Sequence, residues 1–160
     1  MTDNPPSSGT GASPTDQYIG CDQGVILVID DETQILDSIR RTLIREGWVV
    51  LTASDPAEGL RLYGEYWQGI SLVLLDYFLP GLRGDEVWEG LKRINPLVRV
   101  LLMTASDDYV PHQMLNGGLY GFIMKPATRK ELLRRIRRAL KYRGPPSPMS
   151  GEQPAGSASA

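Results

Sequence analysis

Val25-Ile26-Leu27-Val28-Ile29-Asp30-Asp31-Glu32 decides how this chain is read: five consecutive aliphatic residues run straight into three acids. Alternation would mark a strand wetted on one face, whereas an unbroken apolar run marks a strand buried on both, as in parallel sheets. Four more short runs share its character: Trp48 to Leu51, Leu72 to Leu75, Val100 to Met103 and Gly121 to Met124.

Between the runs the apolar period changes to that of a helix. Ile35, Leu36, Ile39, Leu43 and Ile44 line one face of the first such segment, and Leu132, Leu133, Ile136 and Leu140 one face of the last. Asp55-Pro56-Ala57-Glu58 reads as a helix start, with Asp at the cap, Pro at the first helical position and an acid at the third. Pro111 and Thr128 precede later helices, Gly47 follows the first helix, and Gly117-Gly118 closes a short fourth one. Five strands alternating with five helices imply an α/β fold, a doubly wound parallel sheet with helices on both faces. Such a sheet collects its chemistry at the carboxyl ends of its strands.

Length and composition bound the rest. The chain has 160 residues, 17 Gly, 12 Pro and a net charge of −2. Residues 1–23 and 144–160 hold seven of the prolines and six of the glycines, no Lys or Arg, and almost no large apolar side chains. Such segments cannot bury enough surface to offset ordering entropy, so both are expected to be disordered tails around one domain at 24–143. Cys21 is the only cysteine and His112 the only histidine, so neither an internal disulfide nor a thiolate cluster is available. The amino terminus lacks a basic segment followed by an apolar one, and no apolar run approaches 18 residues. A cytoplasmic chain with no membrane contact is expected.

Four strand ends carry polar groups: Asp30-Asp31-Glu32 after the first, Asp76 after the third, Thr104 after the fourth and Lys125 after the fifth. A nucleotide site would want glycines after the first strand. Clustered carboxylates instead repel one another, and a hard divalent cation such as Mg²⁺ relieves that cost. Lys125 and Thr104 add a cation and a hydroxyl suited to phosphoryl oxygens. A carboxylate set among them, Asp76, can act as nucleophile toward a phosphoryl donor, giving an aspartyl phosphate.

These residues resemble the receiver domain of two-component response regulators. The resemblance is carried by Val25 to Glu32, Leu72 to Asp76, Leu79-Pro80-Gly81 with Gly84, Met103-Thr104-Ala105, and Gly121-Phe122-Ile123-Met124-Lys125-Pro126, in family order. It implies a flavodoxin-like sheet in strand order 2-1-3-4-5. It implies Asp76 as phosphoacceptor, with Asp31, Asp76 and the Phe78 carbonyl as Mg²⁺ ligands and Asp30 acting through bound water. Thr104 and Lys125 hold the phosphoryl group, the Lys125-Pro126 bond is cis, and Thr104 and Phe122 form a rotamer switch. Phe122 keeps the aromatic ring of the family's tyrosine without its hydroxyl. Phe78, bulky and beside the phosphosite, predicts slow autodephosphorylation.

The partners implied are a sensor histidine kinase or phosphotransfer protein, and a downstream protein on the face of the fourth helix, fifth strand and fifth helix. A monomer or weak dimer is expected, working as a switch and not as an enzyme. The alternatives are a receiver belonging to a hybrid kinase or DNA-binding regulator, and an interaction scaffold that is never phosphorylated. Residues 128–143 hold eight basic residues against Glu131, whereas the rest of 24–127 is net −5. A solvated basic helix face is expected there, with no direct nucleic-acid binding. His112 is expected in solvent, and Trp48, Trp67 and Trp88 in packing.

Overall fold

The structure is a computed structural model that describes residues 23–105 and 111–141. The predicted disordered tails, all but Gln23, and Arg143 of the basic helix lie outside the described residues. The elements run β1 (Val25–Ile29), α1 (Thr33–Arg45), β2 (Val49–Ala53), α2 (Pro56–Tyr66), β3 (Ile70–Asp76), α3 (Gly84–Ile94), β4 (Val100–Thr104), α4 (His112–Asn116), β5 (Gly121–Met124) and α5 (Arg129–Lys141). All strand pairs are parallel, in the order β2-β1-β3-β4-β5.

The apolar runs are buried on both faces because each strand feeds two cores. Leu27, Ile29, Val73, Leu75, Val100 and Leu102 point to one side, where Tyr63 of α2, Val87, Trp88 and Leu91 of α3 and Met114 of α4 meet them. Ile26, Val28, Leu72, Leu74, Leu101 and Met103 point to the other, against Leu36 and Leu43 of α1 and Leu132, Leu133 and Ile136 of α5. Each fully buried aliphatic side chain contributes about 1.5–3 kcal/mol, so the central strands are where stability concentrates.

The sequence signals at helix ends act as expected. The Asp55 carboxylate accepts the Glu58 N–H at 2.8 Å, and the Thr128 hydroxyl accepts the Glu131 N–H at 3.2 Å. Gly47 takes φ +89° just beyond α1, a left-handed turn that a side chain would resist. Strand limits differ from the apolar runs. β2 begins one residue after Trp48 and continues to Ala53, while Asp76 and Thr104 are the last residues of their strands and not the first beyond them. A parallel ladder tolerates a polar residue at its end, where the backbone still pairs while the side chain reaches the mouth. Trp48 and Trp88 are buried, but Trp67, at the end of α2, is 37% exposed and corrects the packing expectation. His112 is exposed.

Candidate phosphoryl-acceptor site

Strand register assembles the site. Ile29 pairs with both Ala53 and Leu75, which brings Asp30 level with Asp76, and Asp76 pairs with Met103 while Thr104 pairs with Met124. The backbone continues this alignment past the ladders, since the Tyr77 N–H donates to the Met103 carbonyl at 2.9 Å and the Lys125 N–H to the Thr104 carbonyl at 2.7 Å. Asp30, Asp76, Thr104 and Lys125 therefore sit at one end of the sheet within about one residue of the same height.

Asp30 and Thr104 are fully buried and Asp76 is nearly so. The Asp30 Oδ1 atom accepts the Glu32 N–H at 2.9 Å, which fixes the carboxylate from its own loop. Lys125 Nζ lies 2.7 Å from Asp30 Oδ2, 3.4 Å from Asp76 Oδ2 and 3.6 Å from Glu32 Oε1. Burial acts to lower the Lys125 pKa, but its contacts with Asp30 and Asp76 outweigh that and raise it, so the amine is held as a cation. Asp76 shows the opposite conflict. Desolvation pushes its pKa up to about 6, with Lys125 pulling it down and Asp30 pushing it up. The Phe78 N–H approaches Asp76 Oδ1 at 3.4 Å, and the Lys125-Pro126 bond is cis.

Carboxylate oxygens of Asp30, Asp31 and Asp76 lie within 4.8 Å of one another. Asp31 is exposed and keeps this cluster open to solvent on one side. Two buried acids served by a single lysine leave uncompensated negative charge, the Lys125 ammonium meeting Asp30 Oδ2 at 2.7 Å and Asp76 Oδ2 only at 3.4 Å. The donor set is all oxygen, so a hard divalent cation fits. The predicted acids, Thr104 and Lys125 are thus brought together. Phe78 stands at the rim, 48% exposed, with its ring edge-on to Tyr77 at 5.0 Å between centroids. Phe122 is half-buried on β5 against the core, with the Arg135 guanidinium 5.9 Å from its ring centre.

Two contributions were not read from sequence. Glu32 joins the Lys125 contacts, and Gly84 packs directly on the backbone that follows Asp76. The acid triplet and the Leu79-Pro80-Gly81 turn with Gly84 were the available signals.

Comparison with known proteins agrees with this geometry. The uncharacterized transcriptional regulatory protein YkoG of Bacillus subtilis is 38% identical over 125 residues, covering 77% of this chain and 54% of that regulator. A response regulator receiver domain protein from Clostridium thermocellum superposes with a TM-score of 0.69 at 35% identity, over 73% of this chain and 94% of that one. TrrA from Thermotoga maritima, solved with Mg²⁺ and BeF, gives a TM-score of 0.65 at 27% identity, over 73% and 99%. The chain spans about half the length of curated relatives it matches, such as YkoG. Residues 26–137 match the response regulator receiver domain family, and the chain belongs to that family of two-component signalling proteins.

Proposed function

We propose that Asp76 accepts a phosphoryl group from a phosphohistidine of a sensor histidine kinase or phosphotransfer protein, and that the resulting aspartyl phosphate switches a protein-binding surface. The observation that carries this reading is the Asp76 carboxylate, buried at the strand ends with Lys125 Nζ 3.4 Å away and two further acids beside it.

In the transfer an Asp76 oxygen attacks phosphorus and a P–O bond forms as the P–N bond to the donor imidazole breaks. The imidazole nitrogen leaves with the electron pair. Asp76 must be ionised to attack, and the Lys125 ammonium favours that state. The Thr104 hydroxyl and the Lys125 amine would hold phosphoryl oxygens, while Asp31, Asp76 and the Phe78 carbonyl would hold Mg²⁺, with Asp30 acting through bound water. When bound, the cation supplies charge neutralisation for the in-line displacement. The protein is a switch and not an enzyme acting on a separate substrate, and it works in the cytoplasm, where the kinase domain lies. Among the described residues no helix is long and apolar enough to cross a membrane.

Reversing a two-state surface from 1:99 to 99:1 takes about 5.5 kcal/mol of differential stabilisation. Charge-assisted bonds from Thr104 and Lys125 to the phosphoryl group, with Phe122 repacking as Thr104 moves, are the source proposed here. A second reading has this receiver as the input part of a longer DNA-binding regulator. It is favoured by relatives named transcriptional regulatory proteins and about twice the matched length. Reading the gene across codon 160 separates the two.

Incubation with acetyl phosphate and Mg²⁺ tests the main reading by mass. A gain of about 80 Da is expected on the wild type and none on Asp76→Ala. An unmodified wild type leaves the interaction-scaffold alternative.

A further inference from the structure

We infer that Glu32 is a positioning residue of this site: its carboxylate holds the open side of the Lys125 ammonium, and a phosphoryl oxygen on Asp76 displaces it from there. This rests on the proposed reading of Asp76 as phosphoacceptor and adds a regulating contact to the same site.

An ammonium has three N–H donors. Three carboxylates surround Lys125 Nζ, Asp30 at 2.7 Å, Asp76 at 3.4 Å and Glu32 at 3.6 Å. A phosphoryl oxygen therefore gains the amine only by replacing one of them. Asp30 stays, because its side chain is fully buried and water cannot take the place of the amine there. Asp76 stays as well, since it carries the phosphoryl group itself. Glu32 is free to leave. Its side chain is 62% exposed, so water replaces the amine at little cost, as in other exposed ion pairs. The same contrast in burial sets the geometry. Asp30 and Asp76 lie on the inner side of Lys125, and Glu32 lies on the side facing solvent, from which a donor enters.

The local backbone explains why this carboxylate is available. Glu32 is the residue before α1 and has the extended conformation of a helix cap, φ −82° and ψ 101°, yet its side chain makes no capping bond. Asp, Asn, Ser or Thr at such a position turns back onto the free N–H groups of the first helical turn. Glutamate is one methylene longer than aspartate, and here its carboxylate goes to Lys125 instead. The Glu32 N–H donates to Asp30 Oδ1 at 2.9 Å, which pins the Glu32 backbone to the acid that Lys125 grips most closely. Among the described residues no other cation pairs with the Glu32 carboxylate.

The consequence is a competition for one amine. Without a phosphoryl group, Glu32 occupies the donor position that the phosphoryl oxygen takes, so it weakens the hold on that group. It does not touch the bond that breaks. Glu32 thus acts through Lys125 on binding and not on the chemical step.

The test uses the full 160-residue chain with saturating Mg²⁺, and beryllofluoride as the probe, its fluorines standing in for phosphoryl oxygens. Calorimetry compares the wild type with Glu32→Gln and Glu32→Asp. Glu32→Gln keeps the shape and the backbone bond to Asp30 but removes the charge. Glu32→Asp keeps the charge, shortens the arm and favours the helix cap. Both variants should bind beryllofluoride about threefold more tightly than wild type. Both should also lower the acetyl phosphate concentration for half-maximal labelling of Asp76, with the maximal labelling rate unchanged. Urea unfolding checks that the variants fold, and Glu32→Asp, which gains a cap, carries the test if Glu32→Gln does not.

Unchanged or weaker beryllofluoride binding by Glu32→Gln overturns the inference. So does wild-type affinity in Glu32→Asp, which would show that charge at the mouth acts without the Lys125 contact. Asp76 phosphorylation is read by mass on the same samples. A wild type that is labelled and binds beryllofluoride while both variants match it removes the Glu32 inference alone, whereas a wild type that does neither removes the phosphoacceptor reading and this inference with it.

Discussion

The Gly84 N–H donates to the Tyr77 carbonyl at 2.8 Å, and this single bond ties the start of α3 to the residue that follows Asp76. A Cβ on Gly84 would lie 2.8 Å from the Tyr77 Cα and 3.0 Å from the Asp76 carbonyl oxygen. Backbone cannot yield as a flexible side chain does. Gly84→Ala should therefore lower stability by about 1–3 kcal/mol and slow labelling of Asp76 by acetyl phosphate. Urea unfolding and the labelling rate measure the two effects, and an unchanged urea midpoint would contradict the packing argument.

Asp76 makes the cation-free protein sensitive to pH. Its folded pKa of about 6 stands above the ordinary 3.8, so the native state binds the proton more tightly than the unfolded chain does. The group's contribution is most favourable below pH 3.8 and is lost as pH rises through about 6. Without divalent cation, Asp76→Asn should be more stable than wild type at pH 7 by about 1–3 kcal/mol, and the difference should shrink as pH falls toward 4. Thermal or urea unfolding of both proteins across pH 4.5–7 with chelator present measures this. Glu131, held down to about 2 by Arg134 and Arg135, has the opposite sign and cancels in the comparison.

Apolar runs such as Val25–Ile29 and Val100–Met103 were legible because burial on both faces leaves no polar position to blur them. The placement of Asp30, Asp76, Thr104 and Lys125 followed from parallel strand order together with motif resemblance. Contacts made by long or small side chains across elements were not legible. Glu46 serves Arg129 and Arg137, which lie far away in sequence, and no periodicity announces such a pair. Gly84 announces a turn, but its reason is space against Tyr77. Trp67 was misread because a helix-end tryptophan can cover the surface instead of entering the core.

Lys125 is the counter-charge for a carboxylate that water cannot reach. Removing it takes the ammonium away from the buried Asp30 side chain, and breaking a buried pair on one side costs about 3–5 kcal/mol. Lys125→Met should lose stability on that scale in chelator, and adding Asp30→Asn to it should recover part of the loss. A double-mutant cycle by urea unfolding reads the coupling. Additive effects of the two substitutions would show that the 2.7 Å contact contributes nothing.

Phe78 lies two residues beyond Asp76, its ring edge-on to Tyr77 and nearly half exposed. Hydrolysis of an aspartyl phosphate requires water to approach phosphorus in line with the breaking bond. An apolar ring at the rim neither orients that water nor offers it a hydrogen bond, and its bulk narrows the approach. Phe78→Asn replaces the ring with a smaller group able to hold water, so the phosphoryl lifetime should shorten by about tenfold, or roughly 1.4 kcal/mol of barrier. The Phe78 side chain supplies no ligand for the cation, so labelling with acetyl phosphate should proceed at a similar rate. Following loss of the phosphoryl group by mass after removal of acetyl phosphate gives the lifetime directly, and an equal or longer lifetime for Phe78→Asn would show that the ring does not restrict water.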